Sequence, residues 1–226
     1  MTVYEQLKAA APEAWAAYTD HEFIRQMEAG DLPAEAFRAY LVQDYLFLVQ
    51  FARAYALAVY KSRSLPQIEA AQAGLAGIVQ ETELHVRLCA RFGLEREDLD
   101  RAAEHPATVA YTRYVLDCGS SGDLLDLHVA LLPCVAGYAE IGRRLAPAIE
   151  DDVEHPYREW IAEYNGPEYQ QLARDAVATI EELAQRSLTE ARFPELASIF
   201  ATATSLEADF WQMGLDLGAA GSATGR

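Results

Sequence analysis

Cationic residues are scarce in this chain: 18 Lys and Arg stand against 35 Asp and Glu over 226 residues, a formal net charge of −17 at pH 7. Nucleic acids and anionic membranes are held through basic patches that neutralise phosphates, so neither is an expected partner. The acidic surface serves solubility. Cysteine is sparse too. Cys89, Cys118 and Cys134 are odd in number, far apart and in no C-x-x-C arrangement, which fits free thiols in a reducing compartment, not a disulfide framework or a zinc site. No uncharged run reaches the roughly 20 residues needed to span a bilayer. The first 17 residues carry Glu5, Lys8 and Glu13 and lack the apolar core of a signal peptide. The expected location is therefore the cytoplasm. Paired Glu-x-x-His motifs, the mark of a di-iron bundle, are missing. The nearest approach, Asp152-x-x-His155, sits before Pro156, where regular helix is disfavoured.

The chain does have helical periodicity and enough apolar residues, 51%, for one domain with a sizeable core. Leu7, Ala10, Ala14, Trp15 and Tyr18 predict a helix over 3–18, and Thr19 and Asp20 offer caps for a short one over 21–29 that Gly30 ends. Phe37, Leu41, Leu48, Phe51, Tyr55 and Val59 predict the longest helix, 33–63, with Pro33 in its first turn. Further helices are expected over 68–92, 95–101, 107–118, 124–144, 157–164, 168–187 and 193–214, with Gly119-Ser120-Ser121-Gly122 as the clearest interior loop. No repeat or linker divides the chain. The expectation is an all-α, single-domain helical bundle over 1–213 and a mobile Gly/Ala/Ser/Thr tail over 214–226.

The most informative stretch is Leu132-Pro133-Cys134-Val135-Ala136-Gly137-Tyr138, inside a segment apolar around most of its circumference. Pro133 has no N–H for the Val129 carbonyl, so the helix should kink and leave a gap beside the Cys134 sulfur. Tyr138, four residues on, shares that face. A lone cysteine in an apolar run is ordinarily a small core residue, and the nucleophile reading needs support from elsewhere. Asp44 falls among Tyr40, Phe47 and Leu48 on one stripe, either bordering a cavity or anchoring a neighbouring helix. Glu207 interrupts a face of Phe200, Ala203, Thr204, Phe210 and Trp211; burial would raise its pKa and make it a proton donor near neutrality. Its bland alternative is pairing with a buried Tyr or with an Arg such as Arg53. Glu81 and His85, at i,i+4, have a spacing that can hold a metal, but a hydrogen-bonded structural role is the better reading. A thiol, two acids and a surplus of tyrosines together suit covalent catalysis on a flat, nitrogen-rich ring.

Several blocks taken together resemble the TenA (thiaminase II) family. They are Gly30-Asp31-Leu32-Pro33, Phe37-x-x-Tyr40-Leu41-Val42-Gln43-Asp44-Tyr45, Phe51-Ala52-Arg53-Ala54, Glu81-x-Glu83-Leu84-His85, Ala110-Tyr111-Thr112, Leu132-Pro133-Cys134-x-x-x-Tyr138-x-Glu140-Ile141-Gly142, Trp160-Ile161-x-x-Tyr164 and Glu207-x-x-Phe210-Trp211. The resemblance implies a haem-oxygenase-like fold without haem, no cofactor, no bound metal, and a homotetramer. It implies hydrolysis of 4-amino-5-aminomethyl-2-methylpyrimidine to the hydroxymethyl pyrimidine and ammonia, and cleavage of thiamine by the same chemistry. Carried over by position, Cys134 would add to the pyrimidine at C6 and Glu207 would manage protons. Asp44 would hold the ring's amino group, while Tyr111, Tyr138 and Tyr164 would line the pocket. Cys134 marks the cysteine-bearing branch. Phe47 departs from the tyrosine common at that position, which leaves a substrate-facing ring without its hydroxyl and implies a slower enzyme. Two alternatives stay open: a pyrimidine-binding regulatory protein without efficient turnover, and a metal-dependent oxygenase on the same fold.

Overall fold

In the computed structural model, which describes residues 1–224, every regular element among the described residues is helical. The chain opens with two helices where the apolar stripe predicts one, α1 (Val3–Ala10) and α2 (Pro12–Thr19). Pro12 cannot donate to the ladder, so it takes the first position of α2, where the missing N–H costs nothing, and Ala11 makes the corner. His21, and not Thr19 or Asp20, caps α3 (Glu22–Ala29), its Nδ1 accepting from Phe23 N at 3.2 Å. Gly30, at φ 75°, ends that helix in the left-handed conformation that favours glycine.

The two long helices α4 (Ala34–Lys61) and α5 (Leu65–Arg91) are joined by three residues and pack along one another. A short α6 (Arg96–Arg101) leads to α7 (Pro106–Ser121), which runs through Gly119, Ser120 and Ser121, the expected loop. The two serines bond back to the carbonyls of Leu116 and Asp117 at 2.7 Å and keep the last turn helical. A Cβ on Gly119 would sit 2.8 Å from Leu57 and Leu127, so this glycine serves close packing, not chain reversal. Asp123 then caps α8 (Leu124–Leu132), accepting from Leu125 N and Asp126 N at 2.8 and 3.1 Å.

The kink expected at Pro133 is replaced by one wide π turn, Pro133–Gly137, which flows into α9 (Tyr138–Leu145) and a 3₁₀ turn, Ala146–Ile149. The Pro133 carbonyl accepts from Tyr18 Oη at 3.2 Å. The run Leu124–Ile149 is long and apolar enough by composition to cross a bilayer, yet 83% of its most apolar window is buried among the other helices, so here it serves as the core. Around it lie α10 (Arg158–Asn165), α11 (Pro167–Ser187) and α12 (Phe193–Thr224).

The last helix corrects the expected tail: it continues past Gly214 to Thr224. A Cβ on Gly214 would lie 2.8 Å from the Phe23 ring, and one on Gly218 would lie 2.6 Å from the Ala36 backbone. These glycines, four residues apart, let α12 approach α3 and α4 closely. Residues 225 and 226 of the expected tail lie outside the described residues.

Candidate active site

Antiparallel packing of α4 on α5 brings Asp44 to His85. His85 Nε2 abuts Asp44 Oδ2, and the same oxygen accepts from Tyr40 Oη at 3.0 Å. Tyr40 in turn accepts from Trp160 Nε1 at 3.2 Å. His85 Nδ1 faces the Glu81 carbonyl at 3.3 Å; a carbonyl only accepts, so Nδ1 carries a proton. Burial opposes a charged imidazole, but Asp44 and the Glu81 carbonyl outweigh it and hold His85 above its ordinary value. Of the two roles its stripe allowed, the contact with His85 makes Asp44 an anchor between α4 and α5.

Glu207, on α12, is 1% exposed and accepts from Tyr111 Oη of α7 at 2.8 Å. Its buried partner is a tyrosine, as one alternative had it, and not Arg53, whose guanidinium bonds Gln50 on the surface. Burial pushes Glu207 up to about 8; the Tyr111 bond works against this and Asp44 adds to it. The Phe47 ring stands 5.0 Å from Tyr111 and 5.6 Å from Phe210, closing this side with hydrocarbon.

Glu81 of α5 completes the acids. Its Oε1 accepts from Tyr164 Oη at 2.8 Å. Burial pushes this carboxyl up to about 7, His85 pulls it down and Asp44 adds to the rise. Tyr164 packs 4.9 Å from Tyr138, whose ring also meets Trp211 at 5.3 Å and Trp160 at 5.9 Å. Gln170 braces this corner, donating to the carbonyls of Ala139 and Tyr164 at 2.8 and 2.7 Å.

Cys134, 9% exposed in the π turn, lies in the field of all three acids. Burial comes first and the charges of Glu207, Glu81 and Asp44 follow, each raising the thiol well above its ordinary value. The resting group is therefore the thiol, and its proton must leave as the sulfur attacks. Tyr18, Tyr55, Tyr111 and Tyr169 share that environment.

One pattern runs through the three acids. Tyr40, Tyr111 and Tyr164 each anchor one carboxyl through a single oxygen, and among the described residues the other oxygen of Asp44, Glu207 and Glu81 receives no hydrogen bond. A free carboxyl oxygen accepts from N–H or supplies a proton. Three of them beside a thiol, within aromatic walls, suit a small planar molecule rich in ring nitrogens and amino groups. All seven residues singled out for the site, Asp44, Phe47, Tyr111, Cys134, Tyr138, Tyr164 and Glu207, fall in this region. Sequence reasoning set Glu81 and His85 aside as structural and gave Tyr40 no role; their i,i+4 spacings, 81 to 85 and 40 to 44, were the available signal. Among the described residues no three His, Cys, Asp or Glu side chains converge as metal ligands.

An all-helical bundle enclosing such a site belongs to the haem-oxygenase-like class of folds. A Shewanella denitrificans domain with that fold superposes at a TM-score of 0.75, with 13% identity, over 96% of this chain and 93% of its own. Residues 8–217 match the TENA/THI-4/PQQC family, and the chain belongs to that family. It is similar to a TenA family transcription regulator from Silicibacter, with 42% identity and a TM-score of 0.90 over 95% of this chain and 96% of that one. It is also 34% identical over 215 residues to the aminopyrimidine aminohydrolase of Halalkalibacterium halodurans, covering 94% of this chain and 95% of the relative.

Proposed function

We propose that this chain is an aminopyrimidine aminohydrolase (thiaminase II) of thiamine salvage. In this reading it converts 4-amino-5-aminomethyl-2-methylpyrimidine and water to the hydroxymethyl pyrimidine and ammonia, and cleaves thiamine by the same route. The observation that carries this is the buried Cys134 thiol among three singly anchored carboxyls; similarity to the Halalkalibacterium enzyme supports it. Asp44 Oδ1 accepts from the ring's amino group while Phe47, Tyr111 and Tyr138 hold the ring. The Cys134 sulfur bonds to C6 as Glu207 gives its proton to a ring nitrogen, and the thiol's proton replaces it on Glu207. Electrons from the amino-substituted edge then expel the amine and leave an exocyclic methylene. Water adds to that carbon, and return of the ring proton frees the thiol. The enzyme works in the cytoplasm as a homotetramer and needs no cofactor.

Purified protein given the aminomethyl pyrimidine should release ammonia and the hydroxymethyl pyrimidine in equal amounts. Tight pyrimidine binding with no release would sink this reading and favour the regulatory one, in keeping with the name of the Silicibacter relative.

Phe47 sets a second expectation. A hydroxyl on this ring would enter the space beside Tyr111 and Glu207. Phe47→Tyr should raise kcat by about two- to tenfold, the worth of one added hydrogen bond. An unchanged or lower kcat would show that the hydroxyl has no place in this site.

A further inference from the structure

Glu81 has no part in the steps above, and its surroundings give it one. Asp44 and Glu207 are 3% and 1% exposed, whereas Glu81 keeps partial contact with solvent. Of the three acids it is the one least cut off from solvent. Its charge acts on Cys134 and on Tyr55, which places it, on α5, within electrostatic reach of the sulfur. Tyr164 holds only its Oε1.

The balance of charge is equally informative. Among the described residues, His85 is the one cationic side chain in contact with any of the three acids, and it is engaged by Asp44. Among the described residues no Lys or Arg bonds Glu81 or Glu207. His85 lowers the cost of charging Glu81 without bonding its carboxyl, and a cationic ligand would offset the remainder. The aminomethyl group is an alkyl amine, protonated at neutral pH much as lysine is. The thiazolium of thiamine carries a permanent positive charge on the atom that departs. The hydroxymethyl product carries none.

We infer that Glu81 is a specificity residue that reads the positive charge of the leaving group, its free oxygen facing the ammonium or thiazolium nitrogen. The inference rests on the hydrolase reading above. When the C–N bond breaks, its electron pair goes to nitrogen, so ammonium leaves as ammonia and thiazolium as neutral thiazole. When water adds to the methylene, its spare proton passes to the Glu81 carboxylate and then to solvent or ammonia. The site is left with a neutral alcohol that Glu81 does not hold. One carboxylate thus favours substrate over product and explains how two unlike leaving groups share one site.

The test compares charged and neutral ligands in parent and Glu81→Gln. For the aminomethyl pyrimidine, KM should rise by about ten- to a hundredfold in the variant, while Ki for the hydroxymethyl pyrimidine moves by less than about threefold. The unchanged Ki also reports an intact pocket. In the parent, the aminomethyl pyrimidine should bind about tenfold or more tightly than the neutral 5-methyl analogue, a comparison that requires no variant to fold. Equal binding of the two by the parent overturns the inference, as does an equal loss of both ligands in Glu81→Gln, which would mark a structural role. A parent that releases no ammonia overturns the hydrolase reading and this one together. An active parent whose KM does not move in Glu81→Gln overturns this one alone.

Discussion

Cys134→Ser is expected to lower kcat for ammonia release by about a thousandfold or more, the scale on which losing a nucleophile costs other covalent enzymes. The cause is acidity. A free thiol titrates near ~8.5 and yields its proton readily, while a serine hydroxyl is a far weaker acid and needs a strong base at its side. The charges acting on Cys134 are those of Glu207, Glu81 and Asp44, which oppose its ionisation, and Glu207, once it has protonated the ring, is only a carboxylate base. The thiol works here because its proton moves in step with carbon–sulfur bond formation, a trade a hydroxyl makes poorly. Binding should survive, since the ring is held by Asp44 and the aromatic walls, so calorimetry with the hydroxymethyl pyrimidine should give the same affinity in both proteins. Equal turnover by parent and variant would rule out the covalent route. Weakened binding alongside lost turnover would show that the sulfur also shapes the pocket.

Glu207→Gln should lose about a hundred- to ten-thousandfold in kcat, the range for removing a general acid or base. Glutamine still accepts from Tyr111 but gives the ring no proton. The pH profiles separate this from a steric effect. Burial pushes Glu207 up to about 8, so the acid form prevails at neutrality and the parent's kcat/KM should fall as pH rises past 8. The variant's residual activity should lack that limb. Stability supplies an independent reading. Between the ordinary carboxyl value of 4.5 and about 8, the folded protein holds a proton that the unfolded chain has released. Stability from this group is therefore complete below 4.5 and declines as pH climbs through that window. Glutamine has no such penalty, so at pH 9 the variant's Tm should exceed the parent's by about 3 °C or more. A variant that melts lower at pH 9 would show that Glu207 is charged and stabilised in the fold.

The fold was largely legible because each helix buries an apolar stripe whose spacing survives in the sequence. What misled were small residues. Gly119 and Gly214 read locally as terminators, yet their missing side chains admit Leu57, Leu127 and Phe23 from other helices, contacts that no local pattern announces. Pro12 misled in the opposite sense, its stripe running unbroken across a corner that only its missing N–H enforces. The site was legible through ordered family blocks, less so through chemistry. The alignment of Asp44 with His85 depends on how α4 lies against α5, and the free oxygen of each acid depends on which tyrosine reaches it. Both are facts of packing between segments distant in sequence.

The wide turn at Pro133–Gly137 gives this chain a constraint of length as well as composition. A π turn accommodates one more residue than an α turn, so deleting one residue there would return the segment to a regular α-helix, with the flanking helices still in phase but the widened turn around Cys134 gone. The sulfur of Cys134 and the phenol of Tyr138 sit on opposite ends of that insertion, and Gly137 leaves the space that the Tyr18 ring fills. Descendants of such a chain are free to exchange Phe47 for tyrosine one codon at a time. They are not free to shorten this segment, because a single lost codon would close the wide turn that sets the thiol apart from its aromatic wall.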